Sequence, residues 1–403
     1  MRLTTLLAYP LILGVAPVFA VYSFVKEYSG SSFFSDWDFG NGTYDRTTHG
    51  HVNYLTEADA MSQNLTYIND AGHAVIRVDD FTTVIWENKR NSVRIQSNDF
   101  FPIGSVIVFD ATHVPFGCSV WPGFWTKGPN WPLDGEIDIV ESVNLLGHNQ
   151  MSLHTLSGCN QPSSVKQLGQ TIGTDCSAGA DSATGCGVAE TQPKSFGADF
   201  VSAGGGVWAT QFDVSGVYIW FWTRKDVPDS VTNAQDSIDT SSWGTPSAAW
   251  PSASCNITKY FAPQQLVIDI TLCGDWAGIP SLYQSMCGGP LGNGTYDTCY
   301  LQNVINTNGS NYADAYFEIA SIKVFTVNET VLTPTLSGSS TVLTTATGFP
   351  SGPGTNSSGS DSGNAKKGSS NGSLGRETMF GSATVYVSTA ATVVLAALSL
   401  ALL

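Results

Sequence analysis

Charge is what this chain has least of. Asp, Glu, Lys and Arg make up 12% of its 403 residues, and 17 Lys and Arg stand against 33 Asp and Glu, for a net charge of −16. A surface so poor in cations offers no footprint for nucleic acid or for anionic lipid headgroups, so neither is expected as a partner. None of the eight cysteines forms a CxxC pair, which argues against a zinc site. There is no acidic loop of the EF-hand kind. No segment sustains a long 3.6-residue apolar period, and no repeat of fixed length recurs, so a helical bundle is not expected.

What is present is aromatic and turn-rich. Trp, Tyr and Phe account for 11% of the chain, nearly as much as all four charged types together. Sugar rings present apolar C–H faces that stack on aromatic rings, so low charge with many aromatics suits a protein that handles a neutral polymer. Most of these aromatics belong to the core in either case.

The ends read as processing signals. Arg2 precedes a largely apolar run from Leu3 to Val15, and Val18-Phe19-Ala20 fits a small-residue cleavage site, so residues 1–20 are expected to be a secretory signal peptide. Residues 372–403 combine small residues at Asn371-Gly372-Ser373, a polar spacer and an uncharged apolar tail, the succession of a GPI-attachment signal. A plain transmembrane helix is the alternative, though basic residues would be expected after it and none follow. Residues 333–371, rich in Ser, Thr and Gly, read as a flexible stalk. These features imply a secreted protein tethered by lipid at the cell surface.

Residues 21–332 are globular in composition and hold all eight cysteines: Cys118, Cys159, Cys176, Cys186, Cys255, Cys273, Cys287 and Cys299. An even count in a secreted chain reads as disulfides, with the pairing left open. Eight Asn-x-Ser/Thr sequons offer glycosylation sites, at Asn41, Asn64, Asn256, Asn293, Asn308, Asn328, Asn356 and Asn371. Strand-like runs recur at 74–78, 93–96, 105–110, 136–141, 151–155, 216–223, 265–271 and 316–325, many alternating apolar with polar and separated by Gly, Pro, Asn and Asp. Many short strands with turn-rich connections predict an all-β sandwich or barrel with long loops.

The most informative stretch is WPLDGEIDIVE, residues 131–141. Three carboxylates interrupt what would otherwise be a buried β-branched strand. Side chains alternate along a strand, so Glu136 and Asp138 share one face while Ile137 and Ile139 take the other. Glu141 lies five positions from Glu136 and would point away in a regular strand. One β-bulge between Asp138 and Glu141 returns it to the first face. Three acids in one cleft cannot all ionise easily, so at least one should hold its proton near neutral pH. A retaining glycosidase needs such a pair, about 5–5.5 Å apart, one carboxylate to attack the anomeric carbon and one acid to protonate the departing oxygen. Solvent-facing acids on an edge strand, or a cation site, are the alternatives. Trp121, Trp125 and Trp131 just ahead of the acids are unusual for an exposed edge.

The segment CSVWPGFWTKGPNWPLDGEIDIVE resembles glycoside hydrolase family 16, in its fungal laminarinase-like endo-1,3(4)-β-glucanase branch. The family motif ExDxxE is met by Glu136, Asp138 and Glu141. HGHVNYLTEADA, VRIQS and DITLCGDWAG extend the likeness over about residues 30–325. The resemblance implies a concanavalin-like jelly-roll of two antiparallel sheets with a concave cleft. It implies Glu136 as nucleophile, Glu141 as acid/base and Asp138 as the assisting carboxylate. Trp131 would lie beside the sugar at the cleavage point and Trp276 on the leaving-group side. Trp125 and His154 would line the same cleft, with core packing and a satisfied strand histidine as their respective alternatives. The implied activity is internal hydrolysis of β-1,3- or mixed β-1,3/1,4-glucan by a monomer. A wall-remodelling transglycosylase using the same residues and a non-catalytic glucan-binding protein are the other readings. No cofactor is expected for the chemistry, although some members of the resembled family carry a structural calcium on the outer sheet face. The Gly- and Ser-rich insertion between Cys159 and Cys186 reads as a cysteine-stapled loop at the cleft rim.

Overall fold

Strands buried on both faces are continuous apolar runs, and two of them organise this molecule. Gln265–Leu272 is buried at every position, and Ser105–His113 at all but two. In the computed structural model, which describes residues 21–178, 185–290, 297–305, 309–337 and 340–345, each lies inside one of two large antiparallel sheets. The first sheet has nine described strands and runs from Ser237–Asp239 through Val21–Ser29, Tyr316–Thr326, Ser105–His113, Gly206–Asp213 and Gly216–Thr223 to Ala248–Pro251, with Ala74–Arg77 also on Tyr316–Thr326 and Thr66–Ile68 on Ala74–Arg77. The second has eight and runs from Gln170–Thr171 through Cys186–Ala189, Gln150–His154, Glu136–Glu141, Val120–Lys127, Gln265–Leu272 and Arg94–Ser97 to Trp37–Phe39. Among the described residues the longest helices have eight residues, and none is long and apolar enough to cross a membrane.

One core fills the space between the sheets. Phe109 of the first sheet stacks on Phe124 of the second, with ring centroids 4.1 Å apart. Trp208 joins them, fully buried. Each such side chain contributes about 1.5–3 kcal/mol on leaving water. A smaller apolar cluster on the other face of the first sheet gathers Tyr22, Trp220 and Trp243.

The eight cysteines pair as Cys118–Cys287, Cys159–Cys255, Cys176–Cys186 and Cys273–Cys299. The third closes a short loop inside the Gly- and Ser-rich insertion, and residues of that insertion border the cleft described below. Asn41, Asn64, Asn256 and Asn328 are exposed, as glycan acceptors must be.

The stalk differs from expectation at its start. Leu332–Ser337 pairs antiparallel with Ser340–Thr345, and Leu332 bridges Phe100 of the folded domain. Low hydrophobicity suggested a featureless chain here, but β-branched Thr333, Thr335, Thr341, Val342 and Thr344 favour extended pairing. The rest of the expected stalk and the segments expected to be the signal peptide and the GPI signal lie outside the described residues.

Candidate active site

The strand Glu136–Glu141 runs between Val120–Lys127 and Gln150–His154. Its pairing is regular up to Asp138, which faces Trp125 on one side and Ser152 on the other. Beyond that point Val140 pairs with Phe124, so one extra residue is accommodated on the carboxylate strand. The expected bulge is therefore present between Asp138 and Glu141. Ile139 and Val140 are both buried in the core, and Glu141 returns to the face of Glu136 and Asp138.

A bulge leaves backbone groups without ladder partners. Here Asn149 supplies them. Its Oδ1 accepts the Glu141 N–H at 3.0 Å and its Nδ2 donates to the Ile139 carbonyl at 2.9 Å. Asn149 is completely buried, and its own N–H donates to the Ser195 hydroxyl. The sequence reading missed it, since nothing local marks Asn149 as a partner of residues 139 and 141.

The three acids open onto a cleft of about 640 Å³. Trp121, Trp125, Trp131, His154, Thr271 and Trp276 line it with them. All four residues named from the resemblance beside the acids are thus brought together. Trp131 is 42% exposed and its indole N–H donates to Glu136. Trp125 is both core-packed and cleft-lining: it is 8% exposed, its N–H donates to Asp269 at 3.2 Å, and the Arg94 guanidinium lies over its ring. Trp276 meets Trp121 edge to face. Trp121 in turn donates to Glu141 Oε1 at 2.8 Å, a contact the sequence reading did not assign. Its signal was the two-residue spacing of Trp121, Gly123 and Trp125, which puts all three on one sheet face. Gly123 is required by close approach: a Cβ there would meet Asp269 Oδ1 at 2.8 Å.

Asp138 is almost fully buried. It accepts a hydrogen bond from the Ser152 hydroxyl at 3.1 Å and pairs with His154 Nε2 at 3.3 Å. Burial alone would lower the His154 pKa, but the bond to Asp138 and the charges of Glu136, Asp138 and Glu141 outweigh it and raise it to about 10. Burial and the Asp138 charge push Glu136 up to about 8, with the His154 cation and Trp131 opposing. The same causes, burial first, raise Glu141 well above the usual carboxylate range. Beneath Trp125, burial raises Asp269 to about 6 against the pull of Arg94.

Among the described residues, two groups have metal-like proximity. Donor atoms of Glu136, Asp138 and His154 lie within 4.8 Å of one another, two of them already paired as Asp138 and His154. Cys273, Asp297 and Cys299 also cluster, but the two sulfurs are joined in a disulfide.

A family model described as XgeA-like, catalytic GH16 domain matches residues 37–325. The chain belongs to glycoside hydrolase family 16. It is 36% identical to a probable glycosidase of Schizosaccharomyces pombe over 75% of this chain and 69% of that protein. It is 34% identical to an endo-1,3(4)-beta-glucanase of Emericella nidulans over 79% of this chain and 49% of the relative. The chain thus spans about half the length of the second relative. Laminarinase 16A from Phanerochaete chrysosporium, solved with beta-glucans in both donor and acceptor sites, matches with 36% identity and a TM-score of 0.70, covering 76% of this chain and all of that one. An elongating GH family 16 beta-1,3-glucosyltransferase matches at 35% identity and a TM-score of 0.68, with 76% and 100% coverage. The two packed antiparallel sheets are the family 16 jelly-roll.

Proposed function

We propose that this family 16 enzyme cleaves β-1,3-linked glucan internally, with retention of configuration, and that it also accepts mixed β-1,3/1,4 chains. The single observation that carries the reading is the bulge that turns Glu141 into the cleft beside Glu136 and Asp138. The names of the similar glucanase and laminarinase supply the substrate class.

The roles follow the positions of the family motif. Glu136 stands directly opposite His154 in the ladder and serves as the nucleophile. Burial and the Asp138 charge raise both carboxyl groups, and the His154 cation opposes this in both; Glu141, raised well above the usual carboxylate range, serves as the acid. The Glu136 carboxylate attacks the anomeric carbon as the glycosidic C–O bond breaks, and Glu141 gives its proton to the departing oxygen. Ionised Glu141 then takes a proton from water, which displaces Glu136 from the same carbon. Asp138, held by Ser152 and His154, lies between the pair on the same face. Trp131 both donates to Glu136 and offers an exposed ring for the sugar. No cofactor enters this sequence, because the two carboxyl groups supply the nucleophile and the proton.

Glu136→Gln should abolish release of reducing sugar from laminarin; undiminished release would end the proposal. Likeness to an elongating glucosyltransferase supports a second reading, in which a sugar hydroxyl replaces the water. Growth of product length on laminarin at high oligosaccharide concentration would favour it. We further infer, from the apolar and small-residue patterns of the terminal segments, an exported protein held at the cell surface by a GPI lipid; a phospholipase specific for that lipid should release it.

A further inference from the structure

A second cavity, of about 520 Å³, lies outside the catalytic cleft. Its walls are polar: Thr43, Asn53, Thr82, Asn88, Lys89 and Asn91 contribute, offering hydroxyl, amide and ammonium groups of the kind that bond sugar hydroxyls. The segment that forms one wall, Val84–Lys89, also carries Trp86, which is 47% exposed, and Ile85, which is 64% exposed. Such residues are not there for the core.

One chain segment contributes to both cavities. Thr43 lines the second, while Thr47 and Thr48 of the same segment line the first. At the cleft wall Asp275 pairs with His49 at 2.6 Å. Two residues on, His51 donates its N–H to the Leu272 carbonyl and packs its ring 4.6 Å from Tyr300. Tyr300 meets Trp86 edge to face at 5.7 Å, and its hydroxyl donates to the Asn88 carbonyl. The Cys273–Cys299 disulfide fastens this segment to the end of the strand that carries cleft residue Thr271. A chain of packed side chains, His49, His51, buried Tyr300 and exposed Trp86, therefore runs from the cleft wall to the rim of the second cavity.

We propose that the polar cavity beside Trp86 is a second saccharide site, which takes a run of glucosyl units from the same β-glucan chain at a distance from the bond being cut. This rests on the glucan reading of the catalytic cleft. The site favours long chains: Trp86 gives a ring face, the polar walls bond the hydroxyls, and a polymer bound at both places leaves more slowly than one bound at either.

The test uses the full chain with Asn41→Gln throughout, so that no glycan on the sequon containing Thr43 reaches the cavity. Kinetics are compared on laminarin and on laminaritetraose. Trp86→Ala should raise KM for laminarin by about three- to tenfold, the usual scale of one lost stacking partner, while kcat and all laminaritetraose kinetics hold and Trp86→Phe restores most of the effect. In a Glu136→Gln background, Trp86→Ala should reduce retardation in laminarin-containing gels by a similar factor. Unchanged laminarin KM and retardation would overturn the second site, as would equal losses on both substrates. Neither outcome touches the proposed cleavage, which fails instead if Glu136→Gln still hydrolyses laminarin.

Discussion

Asn149→Ala is the sharpest probe of how the fold aims its acid. The side chain is fully buried and makes two hydrogen bonds, both to backbone at the bulge. Truncation leaves the Glu141 N–H and the Ile139 carbonyl unpaired in the interior, at about 1–3 kcal/mol for each orphaned group. Some relief comes from backbone adjustment, so a net loss of roughly 2–4 kcal/mol is expected, or roughly 3–8 °C in Tm for a domain of this size. The adjustment is itself the point. It rotates Glu141 away from its partner, and a misplacement of about 1 Å can cost on the order of 100-fold in rate. The expected result on laminarin is a kcat lowered by about that factor with KM little changed. Ser97→Ala is the matched control. Ser97 is equally buried, donates to the Asp99 carbonyl at 2.8 Å and accepts the Leu266 N–H at 3.0 Å, away from the cleft. It should lose comparable stability and keep its kcat. If Asn149→Ala loses stability as Ser97→Ala does while kcat stays within about twofold, the idea that Asn149 aims Glu141 is wrong.

The pH profile should be bell-shaped, with activity lost on the acid side as Glu136 takes up a proton and on the alkaline side as Glu141 gives one up. Replacing His154 by Gln removes the cation that favours ionised Glu136, so the acid limb should move to higher pH by about one unit; an unmoved limb would mean the imidazolium is not coupled to the nucleophile. Stability gives an independent check. Because the Glu136 pKa rises from 4.5 to about 8 on folding, the native state binds its proton more tightly than the unfolded chain does. Ionised Glu136 therefore costs nothing below pH 4.5 and progressively more as pH rises to about 8. Glu136→Gln should raise the unfolding free energy at pH 8 by on the order of 1–3 kcal/mol after screening through the open cleft, and should leave it unchanged at pH 4. A variant no more stable than the parent at pH 8 would show that burial does not strain this carboxylate.

Much of the second sheet was legible because its signals are local. The strand Glu136–Glu141 has the bounds its β-branched residues suggest, as does Gly216–Thr223 of the first sheet. Val120–Lys127 was not marked as a strand, because Pro122 and Gly123 read as a turn. The close approach of Asp269 explains the glycine, but that aspartate is 146 positions away in the chain. Arg94 and Asp269 beneath Trp125 were missed for the same reason: VRIQS and DITL read as ordinary strands, and only their pairing puts the two charges under one indole.

Counting along the strand is enough to place Glu136 and Asp138 on one face and to bring Glu141 to them only through one extra residue. The residue types alone also implied the aromatic character of the cleft and the oxidised state of the cysteines. What makes the irregularity stable, which sulfurs meet, and that Thr43, Asn53 and the residues after Trp86 wall one cavity came from the folded structure. Those outcomes depend on contacts between segments distant in the chain. Such contacts are chosen by how two twisted sheets and their loops pack, and no local spacing encodes them.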